Sequence, residues 1–289
     1  MRWTPGGESS NIEDRRGQGG GFIPGGRAGM GIGGAVIMLV LSLIFGRDFV
    51  TGGTTTGTGT DSTAPAVANG EVASSPGEER LVQFVSFVLD DVQNTWRSIL
   101  ADRHVPYEDA KLVLFRDMTQ SGCGTAQSTM GPFYCPLDQK VYIDLGFYDE
   151  LQRRFGAPGD FAQAYVLAHE LGHHVQHLLG IDAQSRRLQR ANPGSENAVS
   201  VRLELQADCF AGIWGHSTEQ RRLLSEGDID EGLNAAAAVG DDRLQRASTG
   251  RVNTESFTHG SAAQRSAWFK RGFTTGQIEA CDTFGDRGP

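Results

Sequence analysis

The stretch Ala168-His169-Glu170-Leu171-Gly172-His173-His174-Val175-Gln176 decides how this chain is read, because His169, Glu170 and His173 complete an H-E-x-x-H pattern. On a helix, residues i and i+4 lie about 40° apart on one face, so both imidazoles can bind a single Zn²⁺ while Glu170 points at the water that completes its shell. That is the minimum equipment for hydrolysing a peptide bond. The surroundings suit such a helix. Phe161, Tyr165, Ala168, Leu171, Gly172 and Val175 make it apolar enough to be largely buried; Pro158-Gly159-Asp160 offers a start with Asp160 as N-cap, and Gly180 a stop. A core helix that happens to carry histidines is the bland alternative. Four of the seven histidines (His169, His173, His174, His177) fall within nine positions, however, and an apolar core would hardly satisfy so many polar rings.

A catalytic zinc takes three protein ligands and keeps one position open, so a third donor is expected. The metzincin pattern would place a histidine ten residues after His169, where this chain has Leu179, and a glycine at the seventh, where it has Gln176. Downstream, Glu204-Leu205-Gln206-Ala207-Asp208 lies in a helical stretch from about Glu196 to Trp214. Glu204 and Asp208 are again i and i+4, with Ala207 and Ala211 smoothing that face for a close neighbour. The pair divides its labour: Glu204 binds metal, and Asp208 accepts the outer N–H of a ligand histidine. Glu196 is the competing ligand, but it has Ser200 rather than a carboxylate four residues on and lies beside Asn192-Pro193-Gly194, where a helix should begin.

These residues together resemble the bacterial family of neutral zinc metallopeptidases, a gluzincin-like branch of the zincins. The blocks that carry the resemblance are Met1-Arg2-Trp3 with Ser10 to Gly17, Gly131 to Pro136, Ala168 to Gln176, Glu204 to Cys209, and Ser256 to Gly260. The resemblance implies a zinc site at His169, His173 and Glu204 with Glu170 as catalytic base. Zincins place a strand before the active-site helix at the cleft's edge, where an extended substrate adds by main-chain hydrogen bonds. Val141-Tyr142-Ile143-Asp144-Leu145 is the candidate here, against an ordinary sheet strand. His259 is a candidate oxyanion donor of the kind many zincins use, against a histidine that merely caps or packs the next helix.

Ala28 through Gly46 is 19 residues without a charge, about 28 Å as a helix and enough for a bilayer's hydrocarbon core. A cleaved signal peptide competes, but the nearest A-x-A sites, Ala64-Pro65-Ala66 and Ala66-Val67-Ala68, stand far past the apolar run. Arg2, Arg15, Arg16 and Arg27 precede the run and only Arg47 follows it before Arg80. The positive-inside rule then predicts residues 1–27 in the cytoplasm, an anchor at 28–46, a Gly/Thr/Ala/Ser linker at 47–74 and a catalytic domain at 75–289 outside a bacterial inner membrane. All four cysteines follow the anchor, as an oxidising space would require. Three pairings are possible, and Cys123 with Cys135 plus Cys209 with Cys281 is favoured. Cys209 stands about 140° round the helix from Glu204, off the metal face.

Ser75-Pro76-Gly77-Glu78 reads as N-cap, N1 proline and capping-box glutamate for an amphipathic helix running through Leu81, Val85, Val88, Val92 and Trp96. Lys111 to Phe115 and Lys140 to Leu145 read as strands, Asp228 with Glu231 and Ser261 with Gln264 as later helix starts. The expected fold is therefore a mainly helical α+β domain, zincin-like, behind one transmembrane helix. A net charge of −9 and the lack of any nucleic-acid motif argue against a nucleic-acid partner. The expected function is membrane-anchored zinc endopeptidase, with a peptide or protein as substrate; the alternative is a tethered zinc-containing scaffold that cleaves nothing.

Overall fold

Period-two and period-3.6 patterns in the sequence become a sheet covered by helices, described by a computed structural model over residues 1–18, 74–153 and 159–285. In chain order the strands are β1 (Ile12–Asp14), β2 (Lys111–Phe115), β3 (Met118–Ser121), β4 (Gly124–Gln127), β5 (Phe133–Cys135) and β6 (Lys140–Asp144). The main sheet has the order β1-β2-β6-β5, parallel except for the antiparallel pair β5–β6, while β3 and β4 form a separate hairpin. Alternation sorts its two faces. Leu112, Leu114, Val141 and Ile143 face the large helical core, whereas Val113, Phe115 and Tyr142 share a smaller cluster with Ala126 and Cys135.

The helices are α1 (Pro76–Ala101), α2 (Gly146–Arg153), α3 (Asp160–Leu178), α4 (Ile181–Ala191), α5 (Glu196–Gln220), α6 (Asp228–Ala238), α7 (Asp241–Thr249) and α8 (Ala262–Thr275). In α1 the apolar stripe buries Val85, Val88, Leu89, Val92 and Trp96, and the Ser75 hydroxyl accepts the Glu78 N–H at 3.2 Å. The second half of that capping box is not made. Glu78 turns instead to Arg116, which donates a hydrogen bond at 2.7 Å, and to the charge of Arg16 at 3.0 Å. Ser261 and Gln264 do form the full capping box of α8.

Two expected caps are shifted by one residue. Asp160 is the first helical residue of α3, with Gly159 at φ 121° before it, and Asp228 likewise follows Gly227 at φ 92°. At α3 the Glu231 carboxylate accepts the Phe161 N–H from α6 at 3.2 Å, so a neighbouring helix supplies the cap that Asp160 was expected to give. Gly180, at φ 71°, ends α3 as expected.

The strand Val141 to Leu145 is not an edge. Strand β6 lies between β2 and β5, so both its hydrogen-bonding sides are taken, and Leu145 falls outside it. Among the described residues, the edge on that side belongs to β5.

The N-terminal residues are not a separate segment. Strand β1 pairs with β2 in parallel register (Ile12 with Leu112, Asp14 with Leu114), and Trp3 lies 5.2 Å from the Phe84 ring of α1. Sequence patterning missed this because a three-residue strand carries no readable alternation. No helix among the described residues is long and apolar enough to cross a membrane. The span expected at Ala28–Gly46, and the linker at 47–74 but for Ser74, lie outside the described residues. Both favoured disulfides are formed, Cys123–Cys135 within the sheet region and Cys209–Cys281 joining the C-terminal residues to α5.

Candidate metal centre

Helix α3 brings His169 and His173 to one face, and α5 brings Glu204 and Asp208 opposite them. The two helices meet at Gly172, where a Cβ would stand 3.0 Å from the Ala207 carbonyl oxygen. Gly172→Val should therefore push α3 off α5 and lower zinc affinity at least about 10-fold by spreading the donors, which competition against a chelator would measure. An unchanged affinity would show that the close approach does not set the site.

The Nε2 of His169 lies 3.2 Å from Glu204 Oε2, and the Nε2 of His173 lies 3.5 Å from Glu204 Oε1. Donors bound at about 2.1 Å on a tetrahedral zinc stand roughly 3.4 Å apart, so the three side chains fit that ion. Their orientation is fixed from outside. His169 Nδ1–H donates to Asp208 Oδ1 at 2.8 Å and His173 Nδ1–H to Gln176 Oε1 at 2.8 Å, so both Nε2 atoms are directed inward. Among the described residues no other group of three or more His, Cys, Asp or Glu converges in this way. Glu196 is elsewhere, accepting the Gly194 N–H at 2.8 Å at the start of α5.

Asp208 is fully buried and serves four donors: His169, the Tyr165 hydroxyl, and Arg265 through Nε at 2.8 Å and Nη2 at 2.9 Å. Burial works against its charge, but Arg265 and His169 override it and hold the carboxyl below its usual range. Glu204 is treated similarly, with His259, His173 and His169 outweighing burial. Burial opposes charge on His169 too, yet Asp208 and Glu204 raise it to about 10. In the metal-free protein the imidazolium is thus the stable form at neutral pH. Its stabilising contribution is complete below about 6.5, the unfolded value, and is lost as pH rises through about 10. A zinc ion held through His169 would have to displace that proton. Zinc uptake at pH 7.5 should release about one proton per ion, read by calorimetry in buffers of different ionisation heat, and no release would contradict the assignment of His169 as a ligand.

Glu170 directly follows His169, is 8% exposed, and accepts no hydrogen bond from the described residues. Near it is the Tyr148 hydroxyl of α2, itself buried and without a hydrogen-bond partner among the described residues; burial first, and then the charge of Glu170, resist its ionisation. His259 is held at the other side of the site. Asp241 Oδ2 accepts the N–H groups of Thr258, His259 and Gly260 at 2.7, 2.7 and 3.0 Å, and Oδ1 lies 3.4 Å from His259 Nδ1. The ring is 38% exposed and close enough to Glu204 to lead the charges that keep it ionised.

The other two clustered histidines do different work. His174 Nε2–H donates to the Glu108 carbonyl at 2.7 Å, so its Nδ1 accepts the Tyr134 hydroxyl at 3.0 Å, fastening β5 to α3. His177 pairs with Asp182 at 2.9 Å. Sequence reasoning missed Tyr165, Arg265, Asp241 and Tyr148. Only Tyr165 left a signal, one turn before His169 on the same face; Arg265 is 57 residues from Asp208, beyond any periodic pattern.

The family model described as "Putative neutral zinc metallopeptidase" matches residues 1–284. The chain is 48% identical over 292 residues to "Uncharacterized protein YpfJ" of Escherichia coli strain K12, with 99% of each covered. It is 43% identical over 238 residues to "Uncharacterized protein Rv2575" of Mycobacterium tuberculosis, with 78% of each covered. No solved structure matches it.

Proposed function

The chain belongs to the family of neutral zinc metallopeptidases, and we propose on that premise that it is a zinc-dependent endopeptidase held at its metal by His169, His173 and Glu204. The observation that carries the reading is Glu170: a nearly buried carboxylate with no hydrogen-bond donor among the described residues, directly beside three converging side-chain donor atoms. A structural metal site needs no such base, which weighs against the scaffold alternative.

Bound there, Zn²⁺ would polarise a carbonyl and acidify a water. Glu170 takes the proton of the attacking water and passes it to the departing nitrogen, a role its unpaired oxygens leave free. His259, oriented by Asp241, donates a hydrogen bond to the scissile oxygen as negative charge grows on it. The free edge of β5 takes the extended peptide by strand addition, steadied through Tyr134 and His174. The two disulfides favour an extracytoplasmic place of action.

His259→Ala should cost about 10² to 10³ in turnover with thermal stability little changed. Lost stability with unchanged turnover per folded molecule would make His259 a loop-packing residue instead. The proposal as a whole is tested by stripping metal with a chelator and assaying cleavage of an unfolded protein. Cleavage should vanish and return with stoichiometric zinc; zinc binding without cleavage of any substrate would favour the scaffold.

A further inference from the structure

We infer that the described residues on either side of the apolar run, 1–18 before it and 74–153 with 159–285 after it, occupy one side of any bilayer this chain engages. Leu112 N–H donates to the Asn11 carbonyl and Arg15 N–H to the Leu114 carbonyl, both at 2.8 Å, which extends the β1–β2 ladder at each end. Arg16, 6% exposed, lies 2.6 Å from Asp14 and 3.0 Å from Glu78, so it joins a residue before the apolar run to one after it. Ser9 donates to Asp90 of α1 at 2.6 Å, and Lys140 of β6 reaches Glu13 at 2.7 Å.

A backbone ladder and a buried arginine cannot be assembled across about 30 Å of hydrocarbon. One crossing would put β1 on the far side from β2. The same holds if a second copy supplies β1, since that copy's strand would also have to reach β2. The positive-inside count fails for a related reason: Arg15 and Arg16 are neutralised by Glu13, Asp14 and Glu78 within the fold and are not free charges flanking a span. Because the two disulfides belong to an oxidising space, the N-terminal residues must reach that space as well. The inference is independent of the peptidase reading, since it uses only the sheet and its ion pairs.

Accessibility labelling of the full chain tests it. Glu8→Cys and Glu219→Cys each place one thiol at an exposed position, and the described native cysteines are all in disulfides. A membrane-impermeant maleimide is applied to intact spheroplasts and again after permeabilisation. Both positions should label under the same condition, whichever it is. One position labelling in intact spheroplasts while the other requires permeabilisation would overturn the inference. A cross-link between Ser9→Cys and Asp90→Cys in the same preparation should form on mild oxidation, and its absence in folded, zinc-binding protein would count equally against it.

Discussion

Replacing Glu204 with alanine should lower zinc affinity by more than about 100-fold and abolish hydrolysis, since a charged donor that belongs to the metal's own shell costs more than its supporting partners. Glu204 approaches both ligand histidines, at 3.2 and 3.5 Å, and no other carboxylate of the described residues does so. Glu196→Ala should cost at most about 1 kcal/mol of stability, because it removes only an acceptor in the first turn of α5. Asp208→Ala falls between them in zinc affinity, about 10 to 100-fold weaker. It also strands the Arg265 guanidinium in the interior, so about 3 to 5 kcal/mol of stability should go with it. Metal content and thermal unfolding of the three variants separate these outcomes. A Glu204→Ala protein that retains stoichiometric zinc would mean the wrong carboxylate has been chosen.

Glu170→Gln should reduce turnover by about 10² to 10⁴ while zinc content stays at one per chain. The amide keeps the shape of the side chain but cannot accept a proton, and among the described residues the wild-type carboxylate makes no hydrogen bond that glutamine would forfeit. Thermal stability should therefore hold or rise slightly, because glutamine places less charge in a site where Glu170 is 8% exposed. Turnover within a few-fold of wild type would remove Glu170 from the chemistry.

The cluster of His169, His173 and Glu204 was legible because its parts are helical. His169 with His173 and Glu204 with Asp208 are each one turn apart, and Ala207 against Gly172 gives the close approach that small residues on that stripe implied. What lay beyond one helix face was not. The clustering of His174 and His177 beside His173 did not reveal their partners, the Glu108 carbonyl and Asp182, which lie outside the helix that carries them. Strand order is set by tertiary pairing, so nothing in Val141 to Leu145 told that β5 would cover its outer side. The Arg16–Glu78 contact was not legible in the sequence, because the two residues stand on opposite sides of the whole apolar run.

The most direct test of the central claim is cleavage of an unbiased peptide library by the zinc-loaded protein, with Glu170→Gln as the paired control and the cut bonds identified by mass spectrometry. A zinc endopeptidase should cut internal bonds with a reproducible side-chain preference, and the control should leave those same bonds intact. Cuts that appear equally with Glu170→Gln, or a wild-type protein that holds zinc and cuts nothing, would contradict it.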